Sequence, residues 1–294
     1  MKSSANATEI DETTSPDGEG KKKRKRRGRD RKESKYTARS ADKYELYQHA
    51  VQSPDTDIEF LQRAYREIND REAQHLREDF CGTAILCATW VGSGEGLTAE
   101  GYDLDPEPME WGKEHNIEPL GDDAERVRLF LEDARTEGER APDVRIAQNF
   151  SYWIFKERAL LLDYFKQARA SLAEDGIFVV DLWGGSETQD KMREKRKVDE
   201  GFTYIWDQGE YLPGSGDFTC KIHFKFKDGT KMKDAFVYDW RVWHLTELRD
   251  MFLEAGFSQV DSYFEEDDDE GDEYELDNQG EHCEAWIAYL VGQK

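Results

Sequence analysis

The chain has 294 residues, a formal net charge of -24 at pH 7, and 37% hydrophobic and 12% aromatic residues, enough apolar material for one large domain with a full core. That charge repels phosphate backbones and so argues against a long nucleic-acid groove on the folded part. The four cysteines, Cys81, Cys87, Cys220 and Cys283, form no Cys-x-x-Cys pair and no zinc-finger spacing with histidine, which argues against a disulfide framework and predicts no bound metal.

Residues 1–40 carry almost no large apolar side chain, cannot offset their ordering entropy by burial, and are predicted to be a disordered tail. Within them, residues 21–32 are nearly uninterrupted Lys and Arg. This run reads as a polyelectrolyte arm able to touch nucleic acid or, in a nucleated cell, as an import signal. The longest apolar runs stop far short of the about 20 residues of a membrane span. With no apolar signal core behind the charges, the expectation is a cytoplasmic protein, or a nuclear one if the cell has a nucleus.

From residue 41 apolar residues recur near helical spacing, first Tyr44, Leu46 and Tyr47, then Ile58, Phe60, Leu61, Tyr65 and Ile68, predicting two helices over residues 41–72. Residues 76–80 read as a strand, Cys81-Gly82-Thr83 as a tight turn, and residues 84–91 as a buried helix. Residues 97–104 form the next predicted strand, residues 106–116 a helix opened by proline, and residues 127–131 and 143–150 two more strands. A periodic helix follows over residues 157–172, with Leu160, Leu161, Tyr164, Phe165 and Ala168 on one side. Residues 176–183 are apolar throughout except at Asp181, as in a strand covered on both faces.

Residues 202–239 break the rhythm: they alternate around the turn Asp228-Gly229 and predict antiparallel strands. A helix over residues 246–255, a strand over 257–264, an acidic loop over 265–281 and a last strand over 283–291 complete the chain. Strands alternating with helices predict a doubly wound α/β sheet, with an antiparallel β insertion at about residues 186–240 and one domain over 41–294.

The chemistry concentrates at Glu78-Asp79-Phe80-Cys81-Gly82-Thr83-Ala84, where strand meets helix through a turn that lets backbone amides approach a ligand. Asp103 lies 21 positions after Gly82, at the end of the second strand, where a carboxylate accepts hydrogen bonds from ribose hydroxyls. Read singly, Gly82 also fits a plain tight turn and Asp103 a solvated strand end.

This segment resembles the first motif of the class I S-adenosylmethionine-dependent methyltransferases, with Asp79 in place of an apolar residue and Phe80 and Ala84 in place of glycines. The resemblance implies a Rossmann-like methyltransferase sheet and S-adenosyl-L-methionine as cofactor. It implies Glu78 at the methionine amino group, the backbone of Cys81, Gly82 and Thr83 under the cofactor, and Asp103 with Leu104 at the ribose. Asp133 and Ala134 would lie at the adenine, and Asn149 near the transferred methyl. Asn149-Phe150-Ser151-Tyr152 is similar to the Asn-Pro-Pro-Tyr loop of amino-group methyltransferases, without its two prolines.

Catalytic candidates are Asn149, Tyr152 and His244, with His223 as a further proton acceptor. Arg241, between Trp240 and Trp243, could grip an acidic group. The expected acceptor is a small molecule enclosed between the insertion and the helices bearing Tyr44 and Tyr47. Three alternatives stay open: an RNA or protein acceptor recruited through residues 21–32, a dinucleotide-dependent oxidoreductase, and a non-catalytic nucleotide-binding protein.

Overall fold

The computed structural model describes residues 35–268 and 271–294, and side chains throughout these except at 266–268 and 271–273; the basic run at 21–32 lies outside them. Two helices open the described chain. In α1 (Lys43–Val51) the Asp42 side chain caps the first turn by accepting from the amides of Tyr44 and Glu45, the usual work of an acidic N-cap. Helix α2 (Pro54–Asn69) starts on proline and buries Ile58, Phe60, Leu61, Ala64 and Tyr65, the stripe expected from the sequence period.

Five parallel strands follow, β1 (His75–Asp79), β2 (Thr98–Asp103), β3 (Val127–Leu131), β4 (Val144–Ala147) and β5 (Ile177–Gly184). They are linked by α3 (Ile85–Gly92), α4 (Pro106–Gly112) and α5 (Arg158–Ser171). Next come β6 (Met192–Val198), β7 (Phe202–Gln208), β8 (Asp217–Phe226) and β9 (Lys231–Arg241), then α6 (Leu245–Ala255), β10 (Gln259–Asp268), β11 (Gly271–Leu276) and β12 (Trp286–Gln293).

The main sheet has the order β11-β10-β12-β5-β4-β1-β2-β3, with β12 antiparallel to both β5 and β10. Strand β5 shows why its sequence is apolar on both sides: Ile177 and Val179 enter the core beneath α2 and α3. Phe178, Val180 and Leu182 enter the core beneath α5 and α6. The strand order reverses between β1 and β4, which leaves a crevice at the carboxyl ends of these strands, the usual ligand position of an open α/β sheet.

The second sheet, β6-β7-β8-β9, is antiparallel throughout and packs through Phe202, Ile222, Phe224 and Phe226 on Leu46 and Ala50 of α1. The expected fold class, a doubly wound α/β sheet with an antiparallel insertion, is thus what the chain adopts. Two local expectations are corrected. The acidic stretch after residue 264 is not simply a loop, because β10 runs on to Asp268 and pairs with β11. Leu160, expected on the buried side of α5, is exposed, since Leu161 and Leu162 take the inward positions. No helix among the described residues is long and apolar enough to cross a membrane.

Candidate functional site

The β1–α3 turn makes a backbone shape that its sequence disguises. Phe80 and Ala84 have φ of 58° and 52°, and Gly82 between them has φ of 51°. Left-handed backbone costs an L-residue of order 1–3 kcal/mol, and it is the conformation glycine adopts freely. Phe80 is held there by edge contacts with Phe155 and Tyr164, at ring-centroid distances of 5.9 Å each. The turn therefore keeps a glycine-rich conformation without the glycines. A Cβ built on Gly82 meets no atom within 4 Å, so the turn faces open space.

That space consists of two cavities that share Phe80, Asp103 and Asp105. One, of about 450 Å³, is also lined by Leu104, Asp133, Ala134 and Phe155. The other, of about 250 Å³, is lined by Glu78, Cys81, Gly82, Thr83 and Asn149, and is closed from above by Tyr44 and Tyr47 of α1 and by Phe236 and Tyr238 of β9. A larger cavity of about 700 Å³ lies at the opposite ends of β1 and β2, among Gln74, Gly94 and Leu97. Its guanidinium groups Arg63 and Arg66 are paired with Glu275 and Glu72, and it lacks the reversal crevice, so the smaller pair is the candidate site.

Asp103 sits where the two cavities meet. Its Oδ2 accepts the Gly82 amide at 2.8 Å and its Oδ1 the Asp105 amide at 2.9 Å, which ties the turn to the end of β2 and leaves lone pairs toward the cavity. Glu78 is buried and accepts from the Cys87 amide at 3.2 Å. Burial pushes its carboxyl up to about 8, further helped by the charges of Asp103 and Asp57. The one lysine among the lining residues, Lys43, is 2.7 Å from Glu107. The site therefore holds more carboxyl groups than cationic ones.

The other candidates either are engaged by neighbouring residues or lie outside the two cavities. Asp133 lines the larger cavity of the pair, but its carboxylate is held by Arg135 at 2.8 and 2.9 Å, and that hydrogen bonding lowers its pKa. Tyr152 lies outside both cavities, fully buried, its hydroxyl donating to the Asp181 carbonyl at 2.9 Å. His244 is exposed at the start of α6, also outside both. His223 is buried in the second sheet, with Nε2 3.2 Å from Asp207 and Nδ1 accepting the Asp234 amide at 2.8 Å. Arg241 binds the Lys156 carbonyl and Glu247 within the fold.

Two carboxylates shape the site without having been singled out. Asp181 accepts the amides of Asn149 and Phe150 at 2.7 and 3.0 Å, which holds both residues at φ of 54° and 57°. Desolvation pushes Asp181 up to about 7. Its sequence signal was a lone acid inside an apolar strand. Asp79, fully buried, accepts from Arg77 Nε at 2.8 Å, Arg145 Nε at 2.7 Å and the Tyr164 hydroxyl at 2.7 Å. Both guanidinium groups also donate to the Ala134 carbonyl, at 2.8 and 2.5 Å, and Arg77 to Thr136 at 2.8 Å. Asp79 thus anchors the loop that walls the larger cavity of the pair.

No family model and no curated protein matches the chain. Solved structures do. An S-adenosylmethionine-dependent methyltransferase from Clostridium acetobutylicum is 16% identical with a TM-score of 0.62, covering 85% of this chain and 96% of its own. The amino pentose methyltransferase CalS10 from Micromonospora echinaspora is 18% identical with a TM-score of 0.62, covering 86% and 97%. The sugar N-methyltransferase KedS8 from Streptoalloteichus is 17% identical with a TM-score of 0.60, covering 85% and 92%. At these identities the likeness is one of fold, and the fold of this chain is that of the S-adenosylmethionine-dependent methyltransferases.

Proposed function

We propose that the chain is an S-adenosylmethionine-dependent methyltransferase acting on a small-molecule acceptor. The observation that carries this reading is the charge of the cavity at the glycine turn, which presents the carboxylates of Asp103 and Asp105 and a Glu78 carboxyl that a cation would ionise, against one lysine, itself paired. A dinucleotide brings a pyrophosphate that such walls repel; a sulfonium with an ammonium group is attracted. The open space over Gly82 fits a cofactor lying against the backbone. The small-molecule part rests on the enclosure of the smaller cavity by α1 and β9 and on the acceptors named for two neighbours, an amino pentose and a sugar.

In this reading Glu78 binds the amino group, the backbone of Cys81, Gly82 and Thr83 underlies the methionine, Asp103 with Leu104 holds the ribose, and Asp133 with Ala134 borders the adenine. The cofactor supplies an electrophilic methyl group. Asn149, fixed by Asp181, borders the path to the acceptor, and Tyr47 and Tyr238 wall it from water. Orientation and proximity supply the rate, on the order of 7–11 kcal/mol in well-aligned reactions, and Tyr152 and His244, outside the cavities, take no proton.

The test is to incubate the full chain with methyl-labelled S-adenosylmethionine and fractionated cell extract. Label is expected in the low-mass fraction. Label confined to RNA or protein would overturn the small-molecule reading, and tight cofactor binding with no label anywhere would overturn the catalytic one.

Glu78 adds a pH dependence. Its carboxyl is raised from 4.5 to about 8, so the folded chain binds a proton that the unfolded chain releases. Its contribution to stability therefore falls as pH rises from 4.5 to 8. A cationic ligand favours the ionised form, so cofactor binding expels this proton and tightens as pH rises toward 8. The ligand's own amino group titrates near 7.7–8.0, so the quantity to compare is the ratio of native affinity to that of Glu78→Gln. That ratio is expected to grow roughly 25-fold between pH 6.5 and 8.5, as the ionised fraction of a carboxyl titrating at about 8 rises; a constant ratio in calorimetry would remove Glu78 from the amino group.

A further inference from the structure

Beside the smaller cavity, across the single step from Asn149 to Phe150, opens a cleft of about 380 Å³ walled by Phe150, Trp183, Tyr204, Trp206 and Trp286. The three tryptophans and Tyr204 are half-buried, so each keeps ring surface toward the cleft. Trp183 meets Trp206 at 89° with centroids 6.1 Å apart, and Phe150 at 56° with centroids 5.0 Å apart. The rings therefore form a corner and do not close on one another in a stack. Glu187, Glu194 and Glu265 line it as well, and no lysine or arginine does among the described residues.

This corner is built and not accidental. The buried Gln208 amide donates to the carbonyls of Glu187, Thr188 and Asp190 at 3.0, 3.0 and 2.8 Å, and its oxygen accepts from Trp206 Nε1 at 3.2 Å. One side chain thus sets both the Glu187 segment and the Trp206 ring. Trp286 lies over Gly184, where a Cβ would come within 2.0 Å of the indole ring, so the glycine is what lets the ring lie there.

Aromatic faces attract cations through the ring quadrupole, more strongly where the contact is desolvated, and carboxylates at the edge add to the attraction. We propose that this cleft binds an alkylammonium group, and that it receives the cationic part of the methyl acceptor. The second half of this proposal rests on the methyltransferase reading; the first does not. The cleft takes organic cations and discriminates against neutral molecules of the same shape, because only a charge engages both the rings and the carboxylates.

The test titrates choline into the full chain, followed by tryptophan fluorescence and calorimetry, against its neutral carbon analogue 3,3-dimethylbutan-1-ol. Choline is expected to bind at least tenfold tighter than the alcohol. Trp206→Leu and the double variant Glu187→Gln with Glu194→Gln are each expected to weaken choline at least fivefold; the glutamine pair retains shape and guards against a folding defect. Equal binding of the two probes, or unchanged choline binding in the glutamine pair, would overturn the proposal. S-adenosylmethionine is titrated into the same samples. Its binding without a choline preference sinks the cleft and spares the methyltransferase reading. The choline preference without cofactor binding sinks the acceptor assignment and spares the cleft.

Discussion

Replacing Asp79 by alanine is expected to destabilise the fold by roughly 3–5 kcal/mol, the cost of removing one partner from a buried ion pair. At about 2–4 °C per kcal/mol for a domain of this size, the melting temperature falls by about 6–20 °C. The loss is large because Asp79 is the shared acceptor for two guanidinium groups and a phenol. Arg77 and Arg145 are both fully buried, and without the carboxylate each loses its ion-pair partner, Arg77 keeping only the charge of nearby Glu100. Arg77 would retain its place over the Tyr102 ring, 3.8 Å from the centroid, and both would retain carbonyl bonds to the loop at Ala134.

Because those bonds locate the loop, the cavity bordered by Ala134 should loosen along with the core. Asp79→Asn keeps the shape and one acceptor oxygen and is expected to lose less, and Tyr164→Phe, which removes one hydrogen bond to a charged group, roughly 1.5–3 kcal/mol. Thermal denaturation of the three variants checks the order. A melting temperature for Asp79→Ala within a degree of native would show that the network is not what holds β1, β4 and this loop together.

Asp103→Ala is expected to weaken S-adenosylmethionine binding by roughly 1.5–3 kcal/mol, the worth of hydrogen bonds to a charged group, or about ten- to a hundredfold in dissociation constant. The substitution acts twice. It removes the carboxylate proposed for the ribose, and it releases the Gly82 amide, whose acceptor is Asp103 Oδ2, so the turn loses its tie to β2. Asp103→Asn, which can still accept from that amide, should fall between native and alanine. Leu253→Ala on α6 serves as a control, since that side chain is 50% exposed and lines neither cavity. Calorimetry on the full chain reads all three. Native affinity in Asp103→Ala would remove the carboxylate from the site.

The elements were legible in the sequence because they depend on local period and on caps. The stripe of α2, the two-sided apolar run of β5 and the alternation of β8 each follow from burial on faces that the backbone repeat dictates. The turn from Cys81 to Thr83 and the acid 21 positions later were legible for a similar reason, since a strand, a turn and a helix need neighbours only in sequence. The acidic stretch misled because like charges read as a solvated loop, whereas β10 and β11 pair there through their backbones.

Side-chain roles were another matter. Tyr152, His244 and Arg241 carry residue types that catalysis uses, and their partners, the Asp181 carbonyl, the start of α6 and the Lys156 carbonyl, are known only once distant segments meet. Asp79, Phe80 and Ala84 looked like departures from a methyltransferase motif. The fold gives the first two a reason: Arg145 reaches Asp79 from 66 positions away, and rings from Phe155 and Tyr164 hold Phe80 in a backbone shape normally left to glycine. The sequence alone determined the order of strands and helices and the place of the turn, because these obey local geometry. Only the tertiary structure decided which charges are paired, which rings face a cavity and where the cation-binding corner lies, because desolvation and partner choice depend on contacts between residues far apart in the chain.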